Sequence, residues 1–498
     1  MTTTMEKSQS WVSSIDSRRI ANLYLLTIIV FLLVSAIAAM AMQLELFDAP
    51  SCIINSQLFG RLITHHGLIM VFAVLLPLLP AVMGNLVLPS AIGASDLAYS
   101  RLNLIGWICH LSGAALVVAA IELGAYDGGW TMLMPPPAGS SAFQLLVAGL
   151  LLLCLSTGLM HFVIAATILS KTHRTVPYAR LPVVAWFFLI AALVTLVVSP
   201  IRLITLVQLS LHQWNVTPLF KLLEPDGIVR YQHLFWAYVG PVTYATILPA
   251  IGITLAILSE QSRTTVFARR AVLIAGLLLG QLSLVMWGQN LLGTSSQPVA
   301  LTGSMFGLLS VAPMSVLILS WIVMLTRVHP WRQTSVALIW AQTTLLILGG
   351  LVGVILATPA VGLTLDKSYT ATAHLHLVVL GGVFLSFVAG MMQWWPAWEQ
   401  FRRPSLADRT VAVVVFVGIG GTYLPMLLNG LGGLPSALCI YPVRYETMHK
   451  ISSIGSIILL AGIVVLCVWW FRGIFRGRRH RAEAIPVAAL AEPDFPTQ

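Results

Sequence analysis

Twelve apolar stretches, each long enough to cross a bilayer, decide what this chain can fold into. About 20 apolar residues in a helix span the ~30 Å hydrocarbon layer. The stretches lie at 20–43, 60–90, 103–123, 143–170, 181–208, 232–258, 270–294, 299–326, 334–358, 370–397, 409–430 and 450–474. The composition leaves no soluble alternative. Of 498 residues 58% are hydrophobic and 9% charged, whereas a soluble domain carries about 25% charged residues. A secreted or cytosolic enzyme, a disordered chain and a nucleic-acid-binding protein are excluded. The expectation is an all-α membrane protein: one twelve-transmembrane-helix bundle over 19–476, between an N-terminal tail 1–18 and a C-terminal tail 477–498. That last tail is basic first, then rich in Ala, Pro and Glu, a composition that reads as disordered. The first stretch follows Arg18 and Arg19 and lacks a small-residue cleavage site, so it reads as a span and not a removed signal.

The +10 net charge carries topology. Lys and Arg gather on the cytoplasmic side of a span. If both termini are cytoplasmic, the N-tail, even-numbered loops and C-tail hold 20 of the 27 basic residues. The other seven, Arg61, Arg202, Lys221, Arg230, Lys367, Arg444 and Lys450, fall on outer segments and outer helix ends. This predicts an N-in, C-in arrangement in a prokaryotic-type cytoplasmic membrane. Cys52 and Cys439 then lie in outer loops, where a disulfide is one option. The five cysteines form no CxxC or CxxCH, which excludes a zinc ribbon, an iron–sulfur cluster and covalent c-type haem attachment.

Ionisable groups within spans are costly and point to function. No Asp or Glu stands mid-span, which argues against a proton pump or a cation-coupled transporter. Histidines do stand there: His65, His66, His110, His161, His233, His374 and His376. Two residues along a helix turn a side chain by about 200°. His374 and His376 therefore face opposite sides, unable to chelate one metal but able to serve two separate centres. Two readings remain open for them: structural imidazoles bonded to backbone, or axial ligands of haem iron. His65 and His66 precede Gly67, which leaves room for a flat macrocycle to approach the backbone or else serves helix packing.

Taken together, several segments resemble subunit I of the haem–copper oxidases, most closely the cytochrome c oxidase type. They are Ile15-Asp16-Ser17-Arg18-Arg19-Ile20, THHGLIMVF at 64–72, GNLVLPSAIGASDLAYSRLN at 84–103, GGWTMLMPPP at 128–137, YQHLFW at 231–236, AHLHLVVLGGVF at 373–384 and YETMHKISSIGS at 445–456. Their order and spacing agree with the family from about residue 13 to 475. The resemblance implies two haems, a- or b-type left open. His66 and His376 would be the axial pair of a low-spin haem, with His65 as the fallback if the register slips by one. His374 would ligate a second haem with an open opposite face. Trp130 would lie near the haem propionates, although an interfacial aromatic fits it equally well.

The sequence also departs from that family. On the sixth span the family pattern WxxGHPEVY reads here as Trp236-Ala237-Tyr238-Val239-Gly240-Pro241-Val242-Thr243-Tyr244, with Gly240 at a copper-ligand position. On the seventh, WxHH reads Trp287-Gly288-Gln289-Asn290. Copper favours imidazole or sulfur, so the resemblance implies a lost copper site at Gly240, Gln289 and Asn290. Tyr244 stays at its place, a candidate catalytic residue with His374. Asp96 and Asn85 match the proton-uptake positions. Val242 and Leu317, however, replace a glutamate and a lysine of the proton routes. Asp366-Lys367 stands at a His-Asp magnesium pair, and Ser436-Ala437 at an Arg-Arg pair that neutralises propionates.

The preferred expectation is a dihaem membrane electron carrier in respiratory electron transfer, without copper and without proton pumping. It would sit in membrane lipid with other membrane subunits of a respiratory complex. Its donor would be a c-type cytochrome, a cupredoxin or a quinol, and nucleic acid is not a partner. The alternatives are a terminal oxidase reducing oxygen, a nitric oxide-handling haem enzyme, and a non-catalytic membrane platform.

Overall fold

In the computed structural model, twelve helices long and apolar enough to cross a membrane follow one another. They are α1 (Ser17–Glu45), α2 (Ser56–Ala91), α3 (Ser100–Glu122), α4 (Ser141–Ser170), α5 (Val183–Gln213) and α6 (Gly227–Ser262). Then come α7 (Arg269–Leu291), α8 (Gln297–Leu325), α9 (Thr334–Ala357), α10 (Tyr369–Trp394), α11 (Leu406–Leu431) and α12 (Val443–Phe475). The structure describes residues 15–49, 53–132, 139–175, 177–214, 216, 225–292, 296–329, 333–395 and 406–476. Residues 1–14, the tail from 477, the whole MPPP run, Lys221, and Cys52 with its pairing to Cys439 lie outside the described residues.

The helices outrun the apolar stretches at several ends. α5 continues to Gln213, and α6 and α12 begin at Gly227 and Val443. A helix, once nucleated, gains one backbone bond per added residue, so it carries polar residues such as Arg230 and Arg444 beyond the apolar core. The extension of α5 corrects one expectation. Arg202, counted above with the outer helix ends, lies well inside α5 and is 1% exposed.

Starts are fixed by side-chain caps. The Asp16 carboxylate accepts from Arg19 N, the Asn55 amide oxygen from Leu58 N at 2.8 Å, and the Ser368 hydroxyl from Thr370 N at 3.1 Å. Each satisfies one of the orphan donors at a helix N-terminus. The bundle closes on itself because α1 packs against both α2 and α12. Ser453 Oγ donates to the Gln43 carbonyl at 2.6 Å, and the Tyr441 hydroxyl to the Leu46 carbonyl at 2.6 Å.

Two helices are not uniform. α2 turns π-helical over Ile69–Leu75 and again over Leu78–Met83, and α10 over Val379–Phe384. In both, the first π-turn begins three residues after a histidine, His66 and His376. The prolines Pro77 and Pro80 account for the loosened ladder in α2, since each lacks the N–H an α-turn needs.

α11 and α12 meet at backbone distance. A Cβ on Gly455 would overlap the backbone of Gly421 and Thr422. Over-packing of this kind costs about 1–3 kcal/mol. Gly455→Leu is expected to lower the melting temperature in detergent by several degrees. Gly350→Ala, whose Cβ meets open space, should not lower it. Equal melting of the two variants would show that the α11–α12 contact is not tight.

Candidate functional site

The His66 and His376 rings, from α2 and α10, face each other near the middle of the bundle. Their centroids are 6.1 Å apart and their planes 11° from parallel. The outer bonds of the two rings explain why they stay so placed. His66 Nδ1 lies 3.2 Å from the Ser35 carbonyl and 3.1 Å from Ser35 Oγ, both on α1. His376 Nδ1 lies 2.8 Å from the Thr372 carbonyl, one turn earlier in α10. A carbonyl can only accept, so Nδ1 carries the ring proton and Nε2 keeps its lone pair. Tyr423 of α11 stacks on the His376 ring at 4.5 Å and 13°.

This pair passes a simple test of fit for an iron between the two rings. An imidazole nitrogen binds a metal at about 2.0 Å and sits ~1.1 Å from its ring centroid, so two opposed imidazoles hold centroids about 6 Å apart. The observed spacing agrees. The Nδ1 bond alone is not diagnostic, because His161 makes the same bond to the Thr157 carbonyl at 2.8 Å. What distinguishes His66 and His376 is a partner ring across the bundle. His65 has none of this: its Nε2 is buried with no hydrogen-bond partner.

His374 points elsewhere. Its Nδ1 lies 2.8 Å from the Gly349 carbonyl of α9, and a Cβ on Gly353 would stand 2.8 Å from its ring. The two histidines of α10 thus address different neighbours, His374 toward α9 and His376 toward α2 and α11. His374, like His66 and His376, is half-buried although it stands inside the bundle.

For Gly67 the structure favours the second of the two sequence readings. The space beside it is filled by Trp130, which a Cβ there would strike. It is a packing glycine, and it seats Trp130 next to His66. Trp130 then continues into a ring cluster, 5.7 Å from Phe235 and 6.1 Å from Trp236.

The positions Gly240, Gln289 and Asn290 come together, but around no imidazole. α7 stays α-helical to Met286 and tightens to a 3₁₀ turn over Trp287–Leu291. This brings Trp287 against α6, where a Cβ on Gly240 would stand 2.7 Å from Trp287 Cβ. Asn290 Nδ2 donates to the Trp287 carbonyl at 3.1 Å. Gln289 Oε1 is buried without a hydrogen-bond partner, pressed against Gly307 of α8, and the Gln289 amide neighbours the Tyr244 hydroxyl. His233 lies off this cluster, with Nε2 2.7 Å from Ser296 Oγ.

Of the proton-route positions, Val242 is 2% exposed and Leu317 fully buried, both apolar plugs. Asn103 Nδ2 donates to Asn85 Oδ1 at 2.6 Å, and Asp96 Oδ1 accepts from Leu97 N at 2.7 Å. The Asp366-Lys367 and Ser436-Ala437 segments meet, with the Lys367 carbonyl accepting from Ser436 N at 3.0 Å and Ser436 Oγ at 3.1 Å.

Sequence reasoning missed Arg202. Its guanidinium carbon lies 4.8 Å from the Phe72 ring, 5.8 Å from Tyr238 and 5.9 Å from Phe235. Neither Nη1 nor Nη2 has a hydrogen-bond partner. The signal was present: IRLITLVQLSL stays apolar for a further two turns beyond this arginine, so its flanks are helix interior and not helix end. Burying an ion costs several kcal/mol after relaxation, and each ring over a desolvated guanidinium offsets about 2 kcal/mol at best.

A twelve-helix bundle with opposed histidines on its second and tenth spans is the architecture of haem–copper oxidase subunit I. Residues 19–458 match the family described as Cytochrome C and Quinol oxidase polypeptide I, and the chain belongs to that family. Cytochrome c oxidase subunit 1 of Thermostichus vulcanus is 28% identical over 477 residues, covering 93% of this chain and 85% of the relative. Cytochrome c oxidase subunit 1 of Bacillus subtilis (strain 168) is 28% identical over 466 residues, covering 92% and 74%. A cryo-EM structure of a heme-copper terminal oxidase dimer superposes with a TM-score of 0.74 at 18% identity, covering 92% of this chain and 84% of the other. At that identity the likeness is one of fold. Membership makes the chain an integral membrane protein of the electron-transport oxidoreductases and implies haem as its cofactor.

Burial pushes the Asp366 carboxyl above the ordinary carboxylate range, and Lys367 beside it offsets only part of that. A raised native value means the folded state holds its proton longer than the unfolded chain. The stability tied to Asp366 is therefore present below the ordinary carboxylate pKa of about 4 and is lost as pH rises through the native value. Melting curves in detergent should show wild type losing more stability than Asp366→Asn as pH rises from about 4 to 7. Parallel curves would contradict this.

Proposed function

We propose that the chain is a dihaem electron carrier of respiratory electron transfer, built on the oxidase scaffold without a copper centre and without proton pumping. His66 and His376 would hold a low-spin haem, and His374 a second haem with an open face. Bound haem supplies one-electron iron chemistry. The chain's residues orient it: Nδ1 of each histidine is committed to a backbone carbonyl, which aims Nε2 at the metal and raises its basicity. Trp130 covers the approach beside His66, and Tyr423 fixes the far face of His376.

The observation that carries the reading is the contrast between two places in one bundle. The histidine pair is spaced for iron, whereas the copper positions offer an amide pair and a glycine whose Cβ direction is taken by Trp287. The residues there do not fit copper, which takes imidazole or sulfur. Val242 and Leu317 carry no proton, which supports the absence of pumping. The asymmetry of basic residues supports cytoplasmic termini in a prokaryotic-type cytoplasmic membrane. Other membrane subunits and a c-type cytochrome, cupredoxin or quinol would complete the chain of electrons.

One observation favours a second reading, a haem enzyme for a small ligand such as nitric oxide. The Gln289 amide and the Tyr244 hydroxyl lie together, and both carry hydrogens that can be donated. They could offer hydrogen bonds to a ligand on an open haem face.

The purified protein is expected to carry two haems and no copper. His66→Ala or His376→Ala should abolish the low-spin spectrum, and His374→Ala the high-spin one. Native spectra in all three would refute the ligand assignment. The triple variant Gly240→His, Gln289→His, Asn290→His should still bind less than one copper and melt lower, because a side chain at 240 must push α7 away. Stoichiometric copper in elemental analysis would argue otherwise. Vesicles turning over with a reduced donor should show no outward proton release; acidification lost in Asp96→Asn would overturn the non-pumping reading.

A further inference from the structure

The guanidinium of Arg202 is the least explained charge in the bundle. It is 1% exposed, midway between three helices that surround it, with Phe72 from α2, Phe235 and Tyr238 from α6, and Cys154 of α4 nearby. The Tyr231 hydroxyl donates to the Thr131 carbonyl at 2.9 Å and turns its oxygen, which can accept one N–H, toward the guanidinium; it leaves most of the five donors unmet. Nη1 and Nη2 are buried with no hydrogen-bond partner. An arginine cannot shed its proton to escape such a site. Ring faces attract the cation but leave its in-plane N–H donors unsatisfied, and those donors are shaped for an oxyanion or a halide.

The place matters as much as the charge. Phe235 touches both the guanidinium and Trp130, and Trp130 packs on Gly67 beside His66. Phe72, the ring closest to the guanidinium, lies on the helix that carries His66. The arginine is thus joined to the histidine site by continuous ring packing. At the place where the resemblance implies an Arg-Arg pair that neutralises propionates, this chain has Ser436 and Ala437.

We infer that Arg202 is the receptor of one buried monovalent anion, held in the aromatic cage between α2, α4, α5 and α6. The anion is either a carboxylate of bound haem or a free halide. The carboxylate source rests on the dihaem reading, and the halide source does not. A cation here draws an anion out of water, and the pair then becomes a neutral unit that the membrane interior tolerates. In either case Arg202 acts by positioning charge beside the redox site and takes no part in bond making.

The test uses the haem-loaded protein in detergent, as wild type, Arg202→Met and Arg202→Lys. Met keeps an unbranched apolar stem without the charge, and Lys restores the charge. After exchange into bromide and gel filtration, retained bromide is counted by elemental analysis. Reduced-minus-oxidised infrared spectra and haem redox titrations are recorded on the same samples. A halide site gives one bromide per wild-type chain, lost in the Met variant. A haem carboxylate gives no retained bromide, a carboxylate band that shifts in Met, and a lower midpoint potential of one haem, largely restored in Lys. Absence of bromide together with unchanged carboxylate bands and midpoints in Met overturns the proposal. Wild type without haem would sink the dihaem reading while leaving the bromide measurement decisive for Arg202.

Discussion

Every arrangement at the centre of this bundle follows from one commitment: a buried imidazole has two nitrogens, and the backbone takes one of them. Inside a membrane there is no water to satisfy a ring N–H. Ser35, Thr372 and Gly349 supply the carbonyls for His66, His376 and His374. Once Nδ1 is spent in this way, the direction of Nε2 is set by helix packing alone. The α1–α2 contact fixes His66, the α9–α10 contact fixes His374, and His376 is fixed by its own helix and by Tyr423. The metal-binding geometry proposed for these rings would therefore be a by-product of satisfying the backbone and would need no flexible loop to hold it.

The same logic explains why the neighbouring place differs. Where α7 leaves the α-helical ladder after Met286, its tighter turn draws Trp287 into α6 at the one residue that has no side chain. Helix contact has replaced the volume that a ligand side chain would occupy. A change at Gly240 alone would therefore work against packing from α7, and changes at Gln289 and Asn290 alone would lack a third ligand on α6. The three positions depend on one another, so the departure from the family is a property of the α6–α7 interface and not of single residues.

Much of this was legible in the residues. The count of spans and the split between His374 and His376 follow from apolar length and from about 100° per residue. The resemblance put His66 ahead of His65, and packing agrees with that order, since it is His66 that faces a ring on α10. Gly67 was ambiguous: a missing side chain says that something approaches closely, not what, and here it is Trp130. Arg202 was misplaced because its charge was taken to mark a helix end, although the apolar stretch 181–208 encloses it and α5 runs on to Gln213.

The π-turns of α2 and α10 carry a further consequence. A π-turn holds one more residue than an α-turn, so it works as a one-residue phase shift within a helix. Upstream of Ile69 and Val379 stand the histidines; downstream, α2 packs mainly on α1, and α10 on α6 and α9. The two halves of each helix can thus keep different rotational settings, one suited to a cofactor and the other to its neighbours. Removing a single residue from either segment would leave the composition almost untouched, yet it would turn half of a helix by about 100° relative to the other half. Sequence length in these two segments is therefore as much a part of the site as the histidines are.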